Sequence, residues 1–455
     1  MALPAPSTRR SFLLGGAGLL ATPLAGCSLR PPSAADPIPA TPIPNIVPQL
    51  QEPISLSLLG WPYRQDLLET ILDRFRQLNP DVRVEFNELL NDYGPHAQSI
   101  ILGGEPANVV LAREGQAGLW RSNRMLRPLS GISTFDDMAA RLFPSARRAV
   151  EVDRDLVGLP FYTDAIMLAS NQSMLAAVGA APPETWDQLL ATSVAIRDRG
   201  LSRWPLSLNF GPKVNANLPW WAMVYAAGGS LREPADGLRD ADPAEPAPRL
   251  LRMLRSFLVD DLILNPDFGE TSYSAILDGG PAFSLVGGYF ARFAADKFNN
   301  HRAPRINFSP VPGLDAPGVS TAGWTPFYSV PAATADVEMS TLLALHLGGI
   351  DGTGDFFAPK FWALNEGLPP AYPDVLNDPE VNAQFQSWLD PDLLNDVLTV
   401  AKPVQALWEP WFATWEHWMQ DELQSALWGR KTALAAVDSI NRYAHGLSGQ
   451  AALED

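Results

Sequence analysis

The chain has 455 residues, of which 46% are hydrophobic and 18% are charged, and this length exceeds what one hydrophobic core usually serves. We therefore expect two domains or one large bilobed domain. The 50 acidic and 33 basic side chains give a net charge of −17, and this negative field disfavours a nucleic-acid partner because it repels phosphates.

The first 26 residues resemble a bacterial export signal. Residues 8–13 (TRRSFL) are similar to a twin-arginine motif, and the apolar run 12–26 is too short to span a bilayer comfortably. Residues 24–27 (LAGC) resemble a lipobox, which implies that Cys27 is lipidated and becomes the first mature residue. Cys27 is the only cysteine of the sequence, so a disulfide within this chain is excluded.

Residues 27–52 are rich in proline, which blocks both helix formation and strand pairing. This composition predicts an extended, lipid-anchored tether between the export signal and a globular body. We therefore expect a protein that is exported and held at the periplasmic or extracellular face of a bacterial membrane.

From residue 54 onward the pattern alternates between strand and helix. Residues 54–61 (ISLSLLGW) predict a strand, and the segment that follows is amphipathic with a helical period until Asn79 and Pro80. Two further strands, 82–89 and 107–113, are separated by a helical stretch. This order predicts an α/β fold that begins with a doubly wound lobe.

Strand-like runs around Pro160 occupy residues 156–171, and helical patterns dominate after them. In the segment 182–190 (PPETWDQLL), Pro183 suits a first helical turn and Trp186 falls on the inward face. Core packing is the favoured interpretation of Trp186.

Four stretches, in this order, resemble the carbohydrate-type extracellular solute-binding proteins of ABC importers, the group that contains maltose-binding protein. The first (156–190) is similar to the segment in which that family's chain first crosses between lobes. The second (273–293) is similar to its glycine–aromatic turn at the cleft, and the third (311–334) to its second crossing. The fourth (402–443) is similar to its C-terminal pattern. Together the resemblance covers nearly all of the mature chain.

The resemblance implies a two-lobed periplasmic-binding-protein fold, type II-like, in which crossing segments join the lobes and a solute binds between them. By analogy we expect lobe one at 53–162 and 324–366, and lobe two at 163–323 and 367–455. The implied function is capture of a sugar, oligosaccharide or sugar-like compatible solute by hinge closure, followed by delivery to the transmembrane subunits of an ABC permease. We expect a monomer without cofactor or metal.

Candidate ligand contacts combine aromatic and polar side chains, because sugars offer apolar faces to rings and hydroxyls to polar groups. Trp61 ends the first strand, at the carboxyl edge where open α/β sheets bind ligands. Asp164 could accept hydrogen bonds from two hydroxyls. Of the adjacent Trp220 and Trp221, one is expected in the core and the other at the cleft. The full set is Trp61, Arg113, Glu114, Tyr162, Asp164, Trp221, Tyr289, Trp324, Trp408 and Trp411.

The run WEPWFATWEHW at 408–418 contains four tryptophans. Pro410 predicts that a helix begins near Glu409, with Trp415 and Trp418 on the face that packs against the lobe. The resemblance places Trp408 on a loop at the cleft, where it would contact ligand, with Trp411 as a second contact. Membrane binding is disfavoured because the following segment is acidic.

Enzyme signatures are weak in this sequence. The five histidines show no paired metal spacing, and no Gly-x-Ser-x-Gly motif occurs. Residues 351–355 and 390–396 carry oxygen ligands that could hold calcium, although turn formation or helix capping is favoured. Glu409 and Glu416 lie near aromatics, so a lipid-anchored carbohydrate hydrolase or lyase is kept as the alternative to a binding protein.

Overall fold

In the computed structural model, the described residues are 53–89, 93–103, 107–152, 154–208, 217–230, 241–264, 274–299 and 303–454. The predicted export signal, the lipidation site Cys27 and the tether at 27–52 lie outside the described residues. Within the described ranges, no helix combines the length and the hydrophobicity needed to cross a membrane.

The strands, in chain order, are β1 (Ile54–Gly60), β2 (Val82–Glu88), β3 (Val109–Ala112), β4 (Glu151–Val152), β5 (Asp155–Leu156), β6 (Leu159–Pro160), β7 (Asp164–Asn171), β8 (Leu206–Ser207), β9 (Phe283–Gly287), β10 (Ile306–Ser309), β11 (Thr321–Trp324), β12 (Phe327–Ser329) and β13 (Ala401–Lys402).

The helices, in chain order, are α1 (Gln65–Leu78), α2 (Tyr93–Gly103), α3 (Glu114–Ser122), α4 (Ser133–Ala140), α5 (Pro144–Val150), α6 (Gln172–Val178), α7 (Trp186–Asp198), α8 (Leu218–Ala226), α9 (Pro246–Val259), α10 (Ser274–Leu277), α11 (Phe290–Asn299), α12 (Val337–Gly348), α13 (Phe357–Glu366), α14 (Pro373–Leu376), α15 (Pro379–Gln386), α16 (Pro391–Val400), α17 (Phe412–Leu427) and α18 (Ala433–Glu454).

A five-stranded sheet has the order β2-β1-β3-β12-β6. Strand β1 is parallel to β2 and to β3, with Leu58 opposite Val109, whereas β12 is antiparallel to β3 and β6. Parallel neighbours need a crossover connection, and α1 and α2 supply these connections. The predicted strand–helix alternation of the first lobe is therefore confirmed.

A six-stranded sheet has the order β13-β11-β7-β9-β8, with β10 also paired to β7. Its centre is β7, which is antiparallel to β9, β10 and β11. All eight residues of β7 are buried, because neighbouring strands pair with its edges and helices, among them α8 and α16, pack on its faces.

The chain leaves the five-stranded sheet after β6, enters the six-stranded sheet at β7, and returns between β11 and β12. These two passages, residues 161–163 and 325–326, lie at the expected crossings. The expected lobe boundaries stay a prediction. Side chains of α14 to α16, such as Val375 and Leu398, belong to the same hydrophobic cluster as β1, on the other side of the expected division at residue 366.

A second hydrophobic cluster surrounds the six-stranded sheet and contains Trp186, Trp221 and Trp415. Trp186 is 0% exposed, which confirms its predicted core packing. Removing an aromatic side chain of this size from water contributes about 1.5–3 kcal/mol to stability.

The helix expected to begin near Glu409 begins at Phe412 instead. Ala406 adopts a left-handed φ of 60°, and the amides of Glu409 and Phe412 bond three residues back, which is turn rather than α-helix geometry. The chain therefore forms successive turns over residues 405–411, and Trp408 lies on them.

Candidate functional site

A cavity of about 140 Å³ lies where the ends of two strands meet both crossing segments. Five of the residues expected from the sequence line it, together with one proline from the second crossing. The lining residues are Trp61, Arg113, Glu114, Tyr162, Trp324 and Pro326.

Sheet register brings the first three lining residues together. Trp61 follows β1 and Arg113 follows β3, and because these strands are parallel neighbours their carboxyl ends meet at one edge. The Arg113 guanidinium carbon lies over the Trp61 ring, 4.8 Å from its centroid. The same indole meets Tyr93 edge-on at 5.3 Å. These contacts hold a cation and an aromatic ring at the cavity wall.

The two crossings are bonded to each other beside the cavity. Phe161 N–H donates to the Pro326 carbonyl at 2.8 Å, and the hydroxyls of Thr163 and Thr325 are 2.9 Å apart. Trp324 Nε1 donates to the Tyr162 hydroxyl at 3.3 Å. Burial raises the pKa of Tyr162 to about 12, so its hydroxyl is neutral at physiological pH and can still donate.

Glu114 is the first residue of α3 and its side chain is buried. Its carboxyl accepts the backbone N–H of Thr325 and so ties the helix to the second crossing. Burial raises the pKa of Glu114 to about 8, and the Thr325 hydrogen bond offsets only part of that rise. The group is mostly protonated at neutral pH and can both donate and accept hydrogen bonds.

Asp164 does not line the cavity. Its carboxylate accepts three backbone N–H groups, from Gly288 at 2.7 Å, Tyr289 at 3.0 Å and Ala165 at 2.7 Å. These bonds position the Gly288–Tyr289 turn, and the expectation that Asp164 also bonds two ligand hydroxyls stays a prediction. Burial raises the pKa of Asp164 to about 7, against the effect of these bonds.

The turn that Asp164 holds lies against the cavity wall. Asp164 is opposite Trp324 in the ladder between β7 and β11, and Tyr289 meets the Trp324 ring edge-on at 6.5 Å. A Cβ on Gly287 would lie 2.5 Å from the Trp324 ring, so only glycine fits there. Tyr289 thus supports Trp324 rather than lining the described cavity.

The structure does not bring the remaining three tryptophans to this cavity. Trp221 is 0% exposed, because α8 is covered on all sides and both Trp220 and Trp221 enter the core. Trp411 is also buried, edge-on to Trp415 at 6.0 Å. The half-buried Trp408 lies against Phe327 with ring centroids 6.1 Å apart. Its Nε1 donates to the Arg148 carbonyl at 3.4 Å.

A polar cluster that was not predicted from the sequence lies near the same edge. Glu366 receives a hydrogen bond from the Tyr63 hydroxyl at 3.2 Å and pairs with Arg64 and Arg292. Tyr63 and Arg64 follow β1 only two and three residues after Trp61, so their position at the carboxyl end of a strand was the available signal. Nothing local in the sequence pairs them with Glu366.

In the two candidate calcium loops, aspartate oxygens accept hydrogen bonds from the protein itself. Asp351 accepts from Arg74 at 2.9 Å and from the Thr353 amide at 2.8 Å, while Asp390 caps α16 through the Asp392 amide. The predicted turn and capping roles are confirmed. Across the described ranges, no group of three or more His, Cys, Asp or Glu side chains is placed to hold a metal ion.

The chain forms two β-sheets with flanking helices, and two crossing segments join them. A cavity lies where the crossings meet the strand ends. This arrangement is that of a two-lobed solute-binding protein. A family model described as bacterial extracellular solute-binding protein matches residues 61–338, more than half of the sequence, and the chain belongs to this family. Extracellular function implies export. Comparison with curated proteins gives no significant match.

Solved structures show the same fold at low sequence identity. Maltose-bound MalE3 of T. maritima is 16% identical, with 87% of this chain and 100% of that chain covered and a TM-score of 0.70. The GacH receptor of Streptomyces glaucescens is 15% identical, with 87% and 98% covered and a TM-score of 0.71. An ABC transporter solute-binding protein of Thermotoga lettingae is 17% identical, with 87% and 99% covered and a TM-score of 0.68. The fold is thus the two-lobed fold of MalE-like binding proteins.

Proposed function

We propose that this protein is the receptor of an ABC importer for a sugar, an oligosaccharide or a sugar-like compatible solute, which it delivers to the transmembrane subunits of the permease. The observation that carries the proposal is the pair of indoles, Trp61 and Trp324, in one cavity with Arg113, Glu114 and Tyr162. Indole rings suit the apolar C–H face of a sugar, and the three polar groups suit its hydroxyls.

The ligands bound in similar structures support a carbohydrate. The T. maritima protein was solved with maltose, the Streptomyces receptor with acarbose and the T. lettingae protein with α-D-tagatose. Their diversity at one fold indicates that the side chains at the cavity, rather than the fold, select the solute.

Capture would occur by hinge closure of two lobes, with lobe one at about 53–162 and 324–366 and lobe two at 163–323 and 367–455. The bonded crossings at 161–163 and 325–326 support the positions of the first two boundaries. Trp408 and Trp411 stay predictions as further ligand contacts, which would require the lobes to move relative to the described arrangement.

A carbohydrate hydrolase or lyase is the competing proposal. Such an enzyme places two carboxyl groups on opposite sides of the scissile bond. In the described part of the chain, Glu114 is the one carboxyl that lines the cavity. Glu409 is exposed on the turns before α17 and Glu416 lies on that helix. This arrangement favours binding without turnover.

The receptor would act as a monomer, held to a bacterial membrane through lipid on Cys27 and the tether 27–52. The lipobox-like residues 24–27 support this anchor. Replacing Cys27 with Ala should release the exported protein from the membrane fraction, whereas continued membrane association of that variant would contradict the anchor.

A thermal-shift screen across mono-, di- and oligosaccharides and polyols tests the function. A ligand at a hundredfold excess over its Kd stabilises the native state by about 2.7 kcal/mol, which raises Tm measurably. Each hit is then incubated with the protein and analysed for products. Saturable stabilisation without product supports a receptor. Product formation that disappears in Glu114→Gln supports the enzyme, and no shift with any carbohydrate contradicts both.

A further inference from the structure

Arg113 brings a positive charge into the cavity that no carboxylate of the described chain neutralises through an ion pair. Its guanidinium is half-buried over the Trp61 ring at 4.8 Å and lines the cavity. By contrast, Arg64, Arg74 and Arg292 each pair with a buried carboxylate. Arg127 is also half-buried without such a partner, but it donates to the Ala332 carbonyl. A half-buried guanidinium that instead lines a cavity indicates a site for an anion from outside the chain.

The carboxyl groups of Glu114, which lines the cavity, and of Asp164, which lies opposite Trp324, are bonded to the protein backbone. The Glu114 carboxyl accepts the Thr325 amide, and the Asp164 carboxyl accepts the amides of Ala165, Gly288 and Tyr289. Burial also disfavours the charged form of both acids, with pKa values of about 8 and about 7. The cavity therefore has a positive bias near neutral pH.

We propose that the ligand is a sugar that carries a carboxylate, such as a uronic acid, with the carboxylate bound by Arg113 and the ring held between Trp61 and Trp324. This inference rests on the proposed function as a sugar receptor. A guanidinium matches a carboxylate with two parallel N–H···O bonds. The neutral Glu114 and Tyr162 groups then remain available for ring hydroxyls.

A carboxylate fits better than a phosphate. A phosphate monoester carries a charge near −2 at neutral pH, and Arg113 is the one cationic side chain that lines the cavity among the described residues. The net charge of −17 adds a repulsion that grows with ligand charge. The cavity of about 140 Å³ is smaller than the roughly 300–1,000 Å³ of typical ligand pockets, which favours a single ring.

Isothermal titration with matched ligands tests this proposal: glucose against glucuronate, galactose against galacturonate, and glucose 6-phosphate. The wild-type protein should bind one uronate roughly ten- to a hundredfold more tightly than its neutral partner, the range expected for hydrogen bonds between charged groups. Arg113→Met, which keeps an apolar stem over Trp61, should remove this preference. Arg113→Lys should retain part of it, and raised salt should weaken uronate binding in the wild type.

The exposed Arg83 on β2 supplies the control, since Arg83→Met removes one positive charge outside the cavity lining and should leave the preference intact. Circular dichroism and Tm confirm that each variant folds. Equal or tighter binding of the neutral sugars, or of the phosphate, overturns the inference while the receptor function stands. A preference that survives in Arg113→Met also overturns it. If none of these five ligands binds, the inference is overturned, and the wider screen of carbohydrates and polyols then decides the receptor function.

Discussion

Glu366 at the end of α13 pairs with Arg292 on α11, with Arg292 Nη1 and Glu366 Oε2 3.2 Å apart. The same carboxylate pairs with Arg64 and accepts from Tyr63, both of which follow β1. Because α11 follows β9 of the six-stranded sheet, one buried carboxylate joins elements that belong to the two different sheets. Glu366 is 5% exposed, so water screens its carboxylate less than it would an exposed one.

Replacing Glu366 with Gln should lower the free energy of unfolding by on the order of 3 kcal/mol, because it removes the buried charge that Arg64 and Arg292 share and leaves Arg292 only the exposed Asp296, 3.8 Å away. Urea denaturation followed by tryptophan fluorescence measures the loss. Asp315→Asn is the control, since the Arg249–Asp315 pair is exposed and should contribute less than about 1 kcal/mol. Equal losses in the two variants would contradict a special role for Glu366.

The raised pKa of Glu114 predicts that stability depends on pH. Its folded pKa of about 8 exceeds the ordinary value of 4.5, so the native state holds the proton more tightly than the unfolded chain. The stabilisation from this group is complete below about pH 4 and is lost as pH rises, until it levels off above about pH 8. Asp164, with a pKa of about 7, changes the stability with pH in the same direction.

Glu114→Gln should flatten the fall in unfolding free energy between pH 5 and pH 8, because the glutamine side chain does not ionise. Its amide oxygen can still accept the Thr325 N–H, so the contact itself is kept. Urea midpoints at several pH values measure this. The surface variant Asp315→Asn should keep the wild-type slope in that range. An unchanged slope in Glu114→Gln would show that burial does not raise this pKa.

Trp415 and Trp418 should differ in their effect on stability although both contact α18. Trp415 is 1% exposed and its Nε1 donates to the Ile440 carbonyl at 3.1 Å, whereas Trp418 is 39% exposed against Tyr443. Trp415→Ala should cost about 3–5 kcal/mol and Trp418→Ala about 1 kcal/mol. Chemical denaturation of both variants tests the difference, and similar costs would contradict the described packing.

Gly287→Ala should weaken both folding and ligand binding. The added Cβ would lie 2.5 Å from the Trp324 ring and 2.9 Å from Asp164 Oδ2, so the indole that lines the cavity has to shift. The control is Gly446→Ala in α18, where nothing lies within 4 Å of the new Cβ and helix propensity favours alanine by about 0.5–1 kcal/mol. A Gly287→Ala protein with wild-type Tm and affinity would show that Trp324 is not held there.

Trp61→Ala should reduce affinity for the best ligand of the screen by about 1–3 kcal/mol with little change in Tm, because the half-buried ring faces the cavity and anchors Arg113. Trp204 is a matched control, since it is also half-buried and stacked by an arginine but bonds Asp261 outside the cavity. Titration calorimetry on both variants decides the point. If Trp204→Ala loses as much affinity, the cavity is not the binding site.

Local periodicity was sufficient to predict the elements that depend on neighbouring residues in the chain. Strand β1, helix α1 and strand β2 follow the alternation and amphipathic spacing of residues 54–89, and Trp186 lies in the core as its place on a helical face predicts. Positions at strand ends were predictable for the same reason, since Trp61 and Arg113 need only the direction of their strands to reach one sheet edge.

Tertiary structure alone decided which side chains meet across long separations. Glu114 bonds Thr325, 211 residues away, and Asp164 holds an amide pair more than a hundred residues later in the chain, so its carboxylate is taken up inside the protein. Trp221 is buried because α8 is packed on every face, and this packing cannot be predicted from the sequence of α8 alone. These outcomes depend on how distant elements pack and desolvate one another, whereas periodicity records only the faces of single elements.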